Sequence, residues 1–523
     1  METWHHTGRM KLLQRFEWLL PAVAGLCLLS CTLIVSPHRP MWLDEVYTYY
    51  AVAHDSFGAF LRSYATNVNA TPPLYFVVSW AVLTVMPLSA LSLRICSSLA
   101  CGVAVFFIWA TLRRHTGFFV ASAATLTACL TSDLFLTHNA EARFYGLYLA
   151  LVAWETYNYD RICADVPPSS GRLFSNGLSH GLALSCTHVA GFYSFAILLS
   201  LLIRDWALRA WRPKVYLSVL AGWLPVLFYA PMIWSQRGAT SWMPRPGRIA
   251  IFSPFNLGLH AYFVLCAFAG LVAVAFLRKH YNASLSDAAL GNHAETKEWL
   301  HLVILAFTFL AVPYCLLLVS WAGLPLLLDR YALPSLIGVA LLFGFLCAGL
   351  FGDLFETPLG SEINPKSVLR LSERLFRAGL LAGLLAYPLA RAISAAGDAR
   401  GMQGASQSRA PEHYMVLATS DPHSYFPRYF YSGESHRIYW IVRDSKTRER
   451  WERFSRRLNP VAIDDFLAAH ERFQIISEDV ATEWLEGELR RRGGFRITTE
   501  ERSGNHKLLT VSAERNSPVK SDK

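Results

Sequence analysis

Apolar runs of membrane-spanning length recur through about residue 395, and no other feature narrows the possible folds as sharply. A helix rises about 1.5 Å per residue, so roughly 17–25 mostly apolar residues cross a hydrocarbon core about 30 Å thick. Runs of this kind lie near 16–36, 95–112, 117–137, 144–160, 173–187, 190–203, 215–234, 257–277, 299–319, 331–351 and 376–394. Lipid offers the backbone no hydrogen-bond partners, so such runs must be helical. The expected fold is an all-α polytopic membrane bundle of about eleven spans. Composition agrees, because 53% of the residues are hydrophobic and only 16% charged.

The charge is unevenly spread. About 39 of the 86 Asp, Glu, Lys and Arg residues follow Asp398, which predicts a membrane module over 1–396, a Gly/Ser/Ala/Gln-rich linker over 397–411 and a soluble domain over 412–523. Within that tail, Tyr414–Ala418, Arg437–Val442, Phe473–Ile476, Phe495–Thr499 and Lys507–Ser512 look like strands. Asp464–Arg472 and Trp484–Arg492 pattern as helices, so a small α/β domain is expected. The net charge of +10 belongs to loops that orient a membrane protein and does not point to nucleic acid. All ten cysteines lie between Cys27 and Cys347, in or beside apolar segments. They predict small buried side chains, with no disulfide framework or CxxC metal site.

Orientation turns on Pro73–Leu88, an apolar stretch of about 16 residues bounded by prolines. If it lies along the membrane surface, alternate loops carry about 18 Lys/Arg against about 7 on the opposite side, as the positive-inside rule requires. If it spans, every later loop inverts. The interfacial reading predicts a plasma (inner) membrane protein with a cytoplasmic N-terminus, an uncleaved first helix and an extracytoplasmic C-terminal domain. It also gives a long first outer loop, Pro37–Leu93, with two helices lying on the membrane. The Asn282-Ala-Ser284 sequon then falls in a cytoplasmic loop and is silent.

Three outer segments carry residues suited to chemistry. Asp44-Glu45 follows the first span within Met41–Tyr47; a carboxylate there can serve as general base, or can cap the following helix. His138, Glu141 and Arg143 interrupt two apolar spans joined by almost no loop, and Arg330 opens a later span beside Asp329. An arginine at that depth is costly unless it meets an anion or a watery cavity, and a guanidinium suits bidentate phosphate contact. Ion pairing of Glu141 with Arg143 or His138, and snorkelling of Arg330, are the structural alternatives. The histidines His5, His6, His180, His188, His260 and His280 show no HxxxH or HExxH spacing, so no metal site is expected from them.

The order of these features resembles the C-type membrane glycosyltransferase superfamily, and within it the bacterial family 39 proteins related to protein O-mannosyltransferases. The resemblance rests on Asp44-Glu45, Asn69-Ala-Thr-Pro-Pro-Leu-Tyr75, Leu93-Arg94 with Ser97-Ser98, Glu141-Ala-Arg-Phe-Tyr145 and Arg330-Tyr331, and covers roughly residues 10–395. It implies transfer of a sugar from a polyprenyl-phosphate carrier to a hydroxyl or amine of a lipid, glycan or protein acceptor at the outer face, with inversion. By the same resemblance Asp44 would be the base with Glu45 beside it, and Arg143 and Arg330 would hold the lipid phosphate. Glu141 would be a second acidic residue near the site, with His138, Tyr145 and Tyr331 as further substrate contacts. One departure is Thr71-Pro-Pro-Leu74 where many relatives carry His-Pro-Pro-Leu, so no role of that histidine carries over. A divalent metal is compatible with this chemistry but not required, because the leaving group is already a phosphate.

The chief rival is a transporter or flippase of a polyprenyl-linked lipid, for which rim arginines would serve equally well. That class places ionisable residues in mid-span and often has inverted repeats, whereas the charges here concentrate at span ends.

Overall fold

The computed structural model describes residues 19–66, 68, 71–165, 167–235, 246–247, 293–351, 365–401, 415–431, 435–478, 484–503 and 506–513. Two compact units result. One comprises 1–38, 71–75 and 94–402, and the other 39–70, 76–93 and 403–523.

In the first unit, α1 (Leu19–Val35) is joined by α5 (Ala90–Arg113), α6 (Phe118–Leu130), α7 (Asp133–Asn139), α8 (Tyr145–Ala164), α9 (Ser170–Cys186) and α10 (Ala190–Ala207). They are followed by α11 (Pro213–Gly222), α12 (Leu224–Ser235), α13 (His293–Trp321), a 3-10 turn (Asp329–Ala332), α14 (Ser335–Phe351) and α15 (Pro365–Gly401). Among the described residues, four helical stretches are long and apolar enough to cross a membrane: 90–113, 190–207, 300–321 and 213–231, the last interrupted at Trp223. Shorter apolar helices cover 19–35, 118–130 and 335–348. The expected run at 257–277 lies outside the described residues.

Two expected spans are broken for legible reasons. The run at 117–137 stops at Leu130, and α7 restarts after Ser132, whose Oγ accepts the Phe135 N–H at 3.1 Å. This is an N-cap competing with helix continuation. The run at 215–234 divides at Trp223, just before Pro225, which is favoured in a first helical turn and unfavourable further along. At its other extreme, α15 continues to Gly401, into the stretch expected to be linker.

Close crossings draw this bundle together. A Cβ on Gly146 would lie 2.5 Å from the Ser97 carbonyl oxygen, and one on Gly222 would meet His180 Cβ at 2.5 Å. Glycine is what lets α8 approach α5, and α11 approach α9, backbone to backbone. Polar groups are matched across these contacts. Asn158 Nδ2 donates to the Ser175 carbonyl at 3.2 Å and to Ser179 Oγ at 3.1 Å.

One feature departs from the concentration of charge at span ends. Glu155, midway along α8, and His180 on α9 are both fully buried, with Nδ1 3.0 Å from Oε1. The apolar surroundings in sequence hid this pair, because only tertiary packing brings the two helix midpoints together.

The second unit contains α2 (Leu43–Val52), α3 (Phe57–Tyr64) and most of α4 (Leu74–Val82), together with the C-terminal domain. Nine residues rise only about 14 Å, so α4 is too short to span, and Pro73–Leu88 contains no membrane-crossing helix. The domain has six strands, β1 (Leu417–Thr419), β2 (Ile438–Val442), β3 (Pro460–Ala462), β4 (Arg472–Glu478), β5 (Phe495–Ser503) and β6 (His506–Ala513), in the order β3-β2-β1-β4-β6-β5. The pairs β3–β2, β2–β1 and β1–β4 are parallel, and β4–β6 and β6–β5 antiparallel. Helices α16 (Pro422–Tyr431), α17 (Ser445–Phe454), α18 (Ile463–Ala469) and α19 (Leu485–Arg492) complete it.

Its core gathers Ala418, Ile441, Phe473, Ile475, Leu509 and Val511 from the strands with Phe466 of α18 and Leu489 of α19. Helix α16 was not expected, because Asp421-Pro-His423 patterns as an exposed turn. Asp421 is instead buried and accepts the Ser424 N–H at 2.8 Å. With Pro422 at the first helical position, the same residues start a helix.

Candidate functional site

The Asp44-Glu45 pair opens α2, and the structure separates the two carboxylates by role. Glu45 is fully buried, and its Oε2 accepts the Trp42 N–H at 3.2 Å, the reciprocal half of a capping box. Asp44 is half-buried in the first helical turn. Capping, left open for both residues by the sequence, thus belongs to Glu45. Asp44 is the more exposed of the two.

In the first unit, the segment joining α7 to α8 is held from several sides. Asn139 Nδ2 donates to the Leu28 carbonyl and to Thr32 Oγ1, both at 3.0 Å, while Ser98 Oγ donates to Asn139 Oδ1 at 3.1 Å. Ser97 Oγ donates to the Arg143 carbonyl at 2.9 Å. Arg94, fully buried, donates from Nη1 to the Ser36 carbonyl at 3.1 Å, tying α5 to the end of α1. The residues Arg94, Ser97 and Ser98 are therefore a brace under the loop that carries His138, Glu141 and Arg143.

On that brace, His138 Nδ1 pairs with Glu141 Oε2, and both side chains are buried. Glu141 thus engages His138, one of the two partners expected for it. The Tyr145 ring lies 4.5 Å from the His138 ring and 4.4 Å from the Phe144 ring. The Arg143 guanidinium sits 5.3 Å from the centroid of Phe144, and that of Arg330 sits 5.8 Å from the centroid of Tyr145. Two guanidinium groups thus rest on adjacent, touching aromatic rings. Tyr331 contributes through its backbone, its carbonyl accepting the Tyr148 hydroxyl at 3.4 Å, while the Tyr193 hydroxyl donates to the Ala332 carbonyl at 3.2 Å. The structure therefore joins His138, Glu141, Arg143, Tyr145, Arg330 and Tyr331, which lie almost 200 positions apart in sequence, into one cluster.

Cation–π contact with a ring fixes the position of a guanidinium plane. Guanidinium groups held on neighbouring rings suit an oxyanion with several acceptor oxygens, of which a phosphate is the type case. The amino end of α8 begins at Tyr145 and adds the positive end of a helix dipole to the same neighbourhood.

A second polar cluster was not legible in the sequence. Asp160 Oδ1 accepts from His115 Nε2 at 2.6 Å and from His301 Nε2 at 2.8 Å, and Oδ2 accepts from Arg114 Nε at 2.5 Å. The donor atoms of His115, Asp160 and His301 all lie within 4.8 Å of one another, although no metal-ligand spacing connects them in sequence. The carboxylate is already satisfied by two imidazoles and a guanidinium, which accounts for the arrangement as a buried ion-pair hub. Next to it, Asp205 accepts from Arg212 Nε at 2.8 Å, from Arg204 Nη1 at 2.8 Å and from the Tyr216 hydroxyl at 2.6 Å.

No family model matches the sequence, and no curated protein does so. Comparison with solved structures is informative. ArnT from Cupriavidus metallidurans bound to undecaprenyl phosphate superposes with a TM-score of 0.56 at 13% identity, covering 95% of this chain and 98% of that one. Its apo form gives the same values. The S. cerevisiae protein O-mannosyltransferase Pmt1-Pmt2 complex bound to the sugar donor aligns over 47% of this chain and 36% of that one, at 16% identity and a TM-score of 0.31, too weak an overlap to bear on the fold. The match with ArnT runs nearly end to end in both chains. The chain shares the fold of ArnT.

Proposed function

We propose that the chain is a glycosyltransferase that takes a sugar from a polyprenyl-phosphate carrier, with undecaprenyl phosphate as the carrier class, and passes it to a hydroxyl or amine of a lipid, glycan or protein acceptor. The observation that carries this reading is the pair of ring-stacked guanidiniums, Arg143 on Phe144 and Arg330 on Tyr145. In this reading they take the carrier phosphate and stabilise the charge that develops on it as the sugar–oxygen bond breaks. Asp44 accepts the proton of the attacking hydroxyl or amine. Attack opposite the departing phosphate inverts the anomeric carbon. Glu141, engaged with His138, fixes the loop that presents Arg143. The fold shared with ArnT, whose solved form binds undecaprenyl phosphate, supports the choice of carrier.

The expected setting is the outer face of the plasma membrane, with the N-terminus inside and the C-terminal domain outside. Mass spectrometry of the lipid-linked sugar pool and envelope glycans, with and without the protein, tests the reading. One undecaprenyl-linked sugar should accumulate and one modified product disappear when the protein is removed. Identical pools in both strains would defeat it.

A flippase or transporter of the same lipid keeps one observation in its favour, the buried Glu155–His180 pair at the middle of the bundle. The two readings separate on Glu155→Gln. A glycosyltransferase should keep its chemistry, since no reacting atom is assigned to Glu155, whereas a transporter built on that pair should lose transport of the labelled lipid across reconstituted vesicles.

A further inference from the structure

The helix carrying Asp44 is gripped by the C-terminal domain, and the grip is aromatic. Helix α2 has only ten residues, a length at which an isolated helix is marginal in water. Its Tyr47 ring stacks on Phe454 of α17 at 5.1 Å and meets Phe426 of α16 at 6.0 Å and Trp451 at 6.2 Å. Tyr50 meets Phe426 at 5.9 Å and Phe430 at 6.2 Å, and Tyr49 stands edge-on to Phe430 at 4.9 Å. Just before the helix, the Met41 N–H donates to the Tyr431 hydroxyl.

The following segment is tied to the same domain. Ser63 Oγ donates to the Phe454 carbonyl at 2.5 Å, closing the carboxyl end of α17, and Arg450 Nε donates to the Thr66 carbonyl at 3.0 Å. Tyrosines at the third, fifth and sixth positions after Asp44 are thus seated on rings that belong to a different part of the sequence.

We infer that the C-terminal α/β domain sets the position of the Asp44 helix, with Phe430 a positioning residue that acts through Tyr49 and Tyr50. This inference rests on the proposed role of Asp44 as base and adds the reason the domain is needed for chemistry. A domain that only gathered acceptor would have no use for rings packed along this helix. Proton transfer from the acceptor needs the carboxylate within hydrogen-bond reach, and a displacement of about 1 Å can cost roughly 100-fold. Seating three tyrosines on a folded domain removes the freedom of a two- to three-turn helix to fray or slide.

Phe430 is half-buried at the edge of the domain, so its removal spares the core formed by Phe466, Phe473 and Leu509. The test uses full-length Phe430→Ala and Phe430→Tyr with three measurements: binding of undecaprenyl phosphate to purified protein, product level in cells, and amide hydrogen exchange of residues 43–52. Phe430→Ala should bind undecaprenyl phosphate as the wild type does, lower product roughly tenfold or more and speed exchange in 43–52. Phe430→Tyr, which keeps the ring, should restore both. In the Tyr49→Ala/Phe430→Ala double variant, product should fall no further than in the worse single variant.

Normal product in Phe430→Ala overturns the inference. So does lost undecaprenyl phosphate binding, which would mean general collapse, and so does reduced product with unchanged exchange, which would assign Phe430 to acceptor contact. If the glycosyltransferase reading itself fails, wild-type and deletion cells show the same lipid pools, and the exchange measurement alone still decides whether the domain holds the helix.

Discussion

Asp44 and Glu45 are chemically alike and adjacent, and their neighbours give them different tasks. Because Glu45 spends its carboxylate on the Trp42 N–H, Glu45→Gln keeps an acceptor oxygen there and should leave transfer largely intact. Glu45→Ala should cost about 1 kcal/mol of helix stability, seen as a lower melting temperature. Asp44→Asn retains shape but cannot take a proton, so transfer should be abolished with membrane insertion and protein level unchanged. Near-normal turnover by purified Asp44→Asn would remove it from the role of base.

The arginines make a separate prediction. Arg143→Ala and Arg330→Ala should each lose charge-assisted hydrogen bonds worth roughly 1.5–3 kcal/mol, or about 10- to 100-fold in affinity for undecaprenyl phosphate. Lysine should rescue only in part, since it is neither planar nor bidentate. Titration of both alanine variants with undecaprenyl phosphate checks this, and wild-type affinity in both would leave the arginines a structural role.

At the scale of elements, the loop carrying His138, Glu141 and Arg143 depends on how closely α8 lies against α5. Gly146 has no room for a side chain, because a Cβ there would meet the Ser97 carbonyl at 2.5 Å and Cys101 Sγ at 3.0 Å. Gly146→Ala must open that crossing and stretch the Ser97–Arg143 hydrogen bond. Overpacking of this kind costs about 1–3 kcal/mol, so the melting temperature should fall by several degrees and undecaprenyl phosphate should bind more weakly. Gly379, whose Cβ would meet nothing within 4 Å on α15, provides the control, and Gly379→Ala should leave both unchanged. Equal behaviour of the two variants would show that the α5–α8 crossing does not set the loop.

For the whole molecule, orientation and division of labour are both measurable. Ser56 and Ser445 are exposed in the second unit and Ser170 in the first. Single cysteines at 56 and 445 in a cysteine-free background should react with an impermeant thiol reagent in intact cells, and one at 170 should not. The reverse pattern would place the charge-rich loops outside. Removal of 403–523 should leave a membrane unit that binds undecaprenyl phosphate but transfers no sugar, because the Asp44 helix loses the rings that seat it. Wild-type transfer by that truncation would sink both the positioning role and any other requirement for the domain.

The sequence by itself determined that the chain is a helical membrane body with an α/β domain at its end. Both conclusions rest on local pattern: apolar runs too long for anything but helices in lipid, and short runs of β-branched and aromatic residues such as Ile438–Val442. It also placed the chemically loaded residues at span ends, since Arg143 and Arg330 stand out against apolar neighbours. Only the tertiary structure decided which residues lie together. The stacking of Arg330 on Tyr145, the hub of His115, Asp160 and His301, the mid-bundle Glu155–His180 pair and the seating of Tyr47 on Phe454 all join residues from 25 to about 400 positions apart. No periodicity or spacing encodes such pairings, because each is set by how helices and strands pack once their apolar faces are buried.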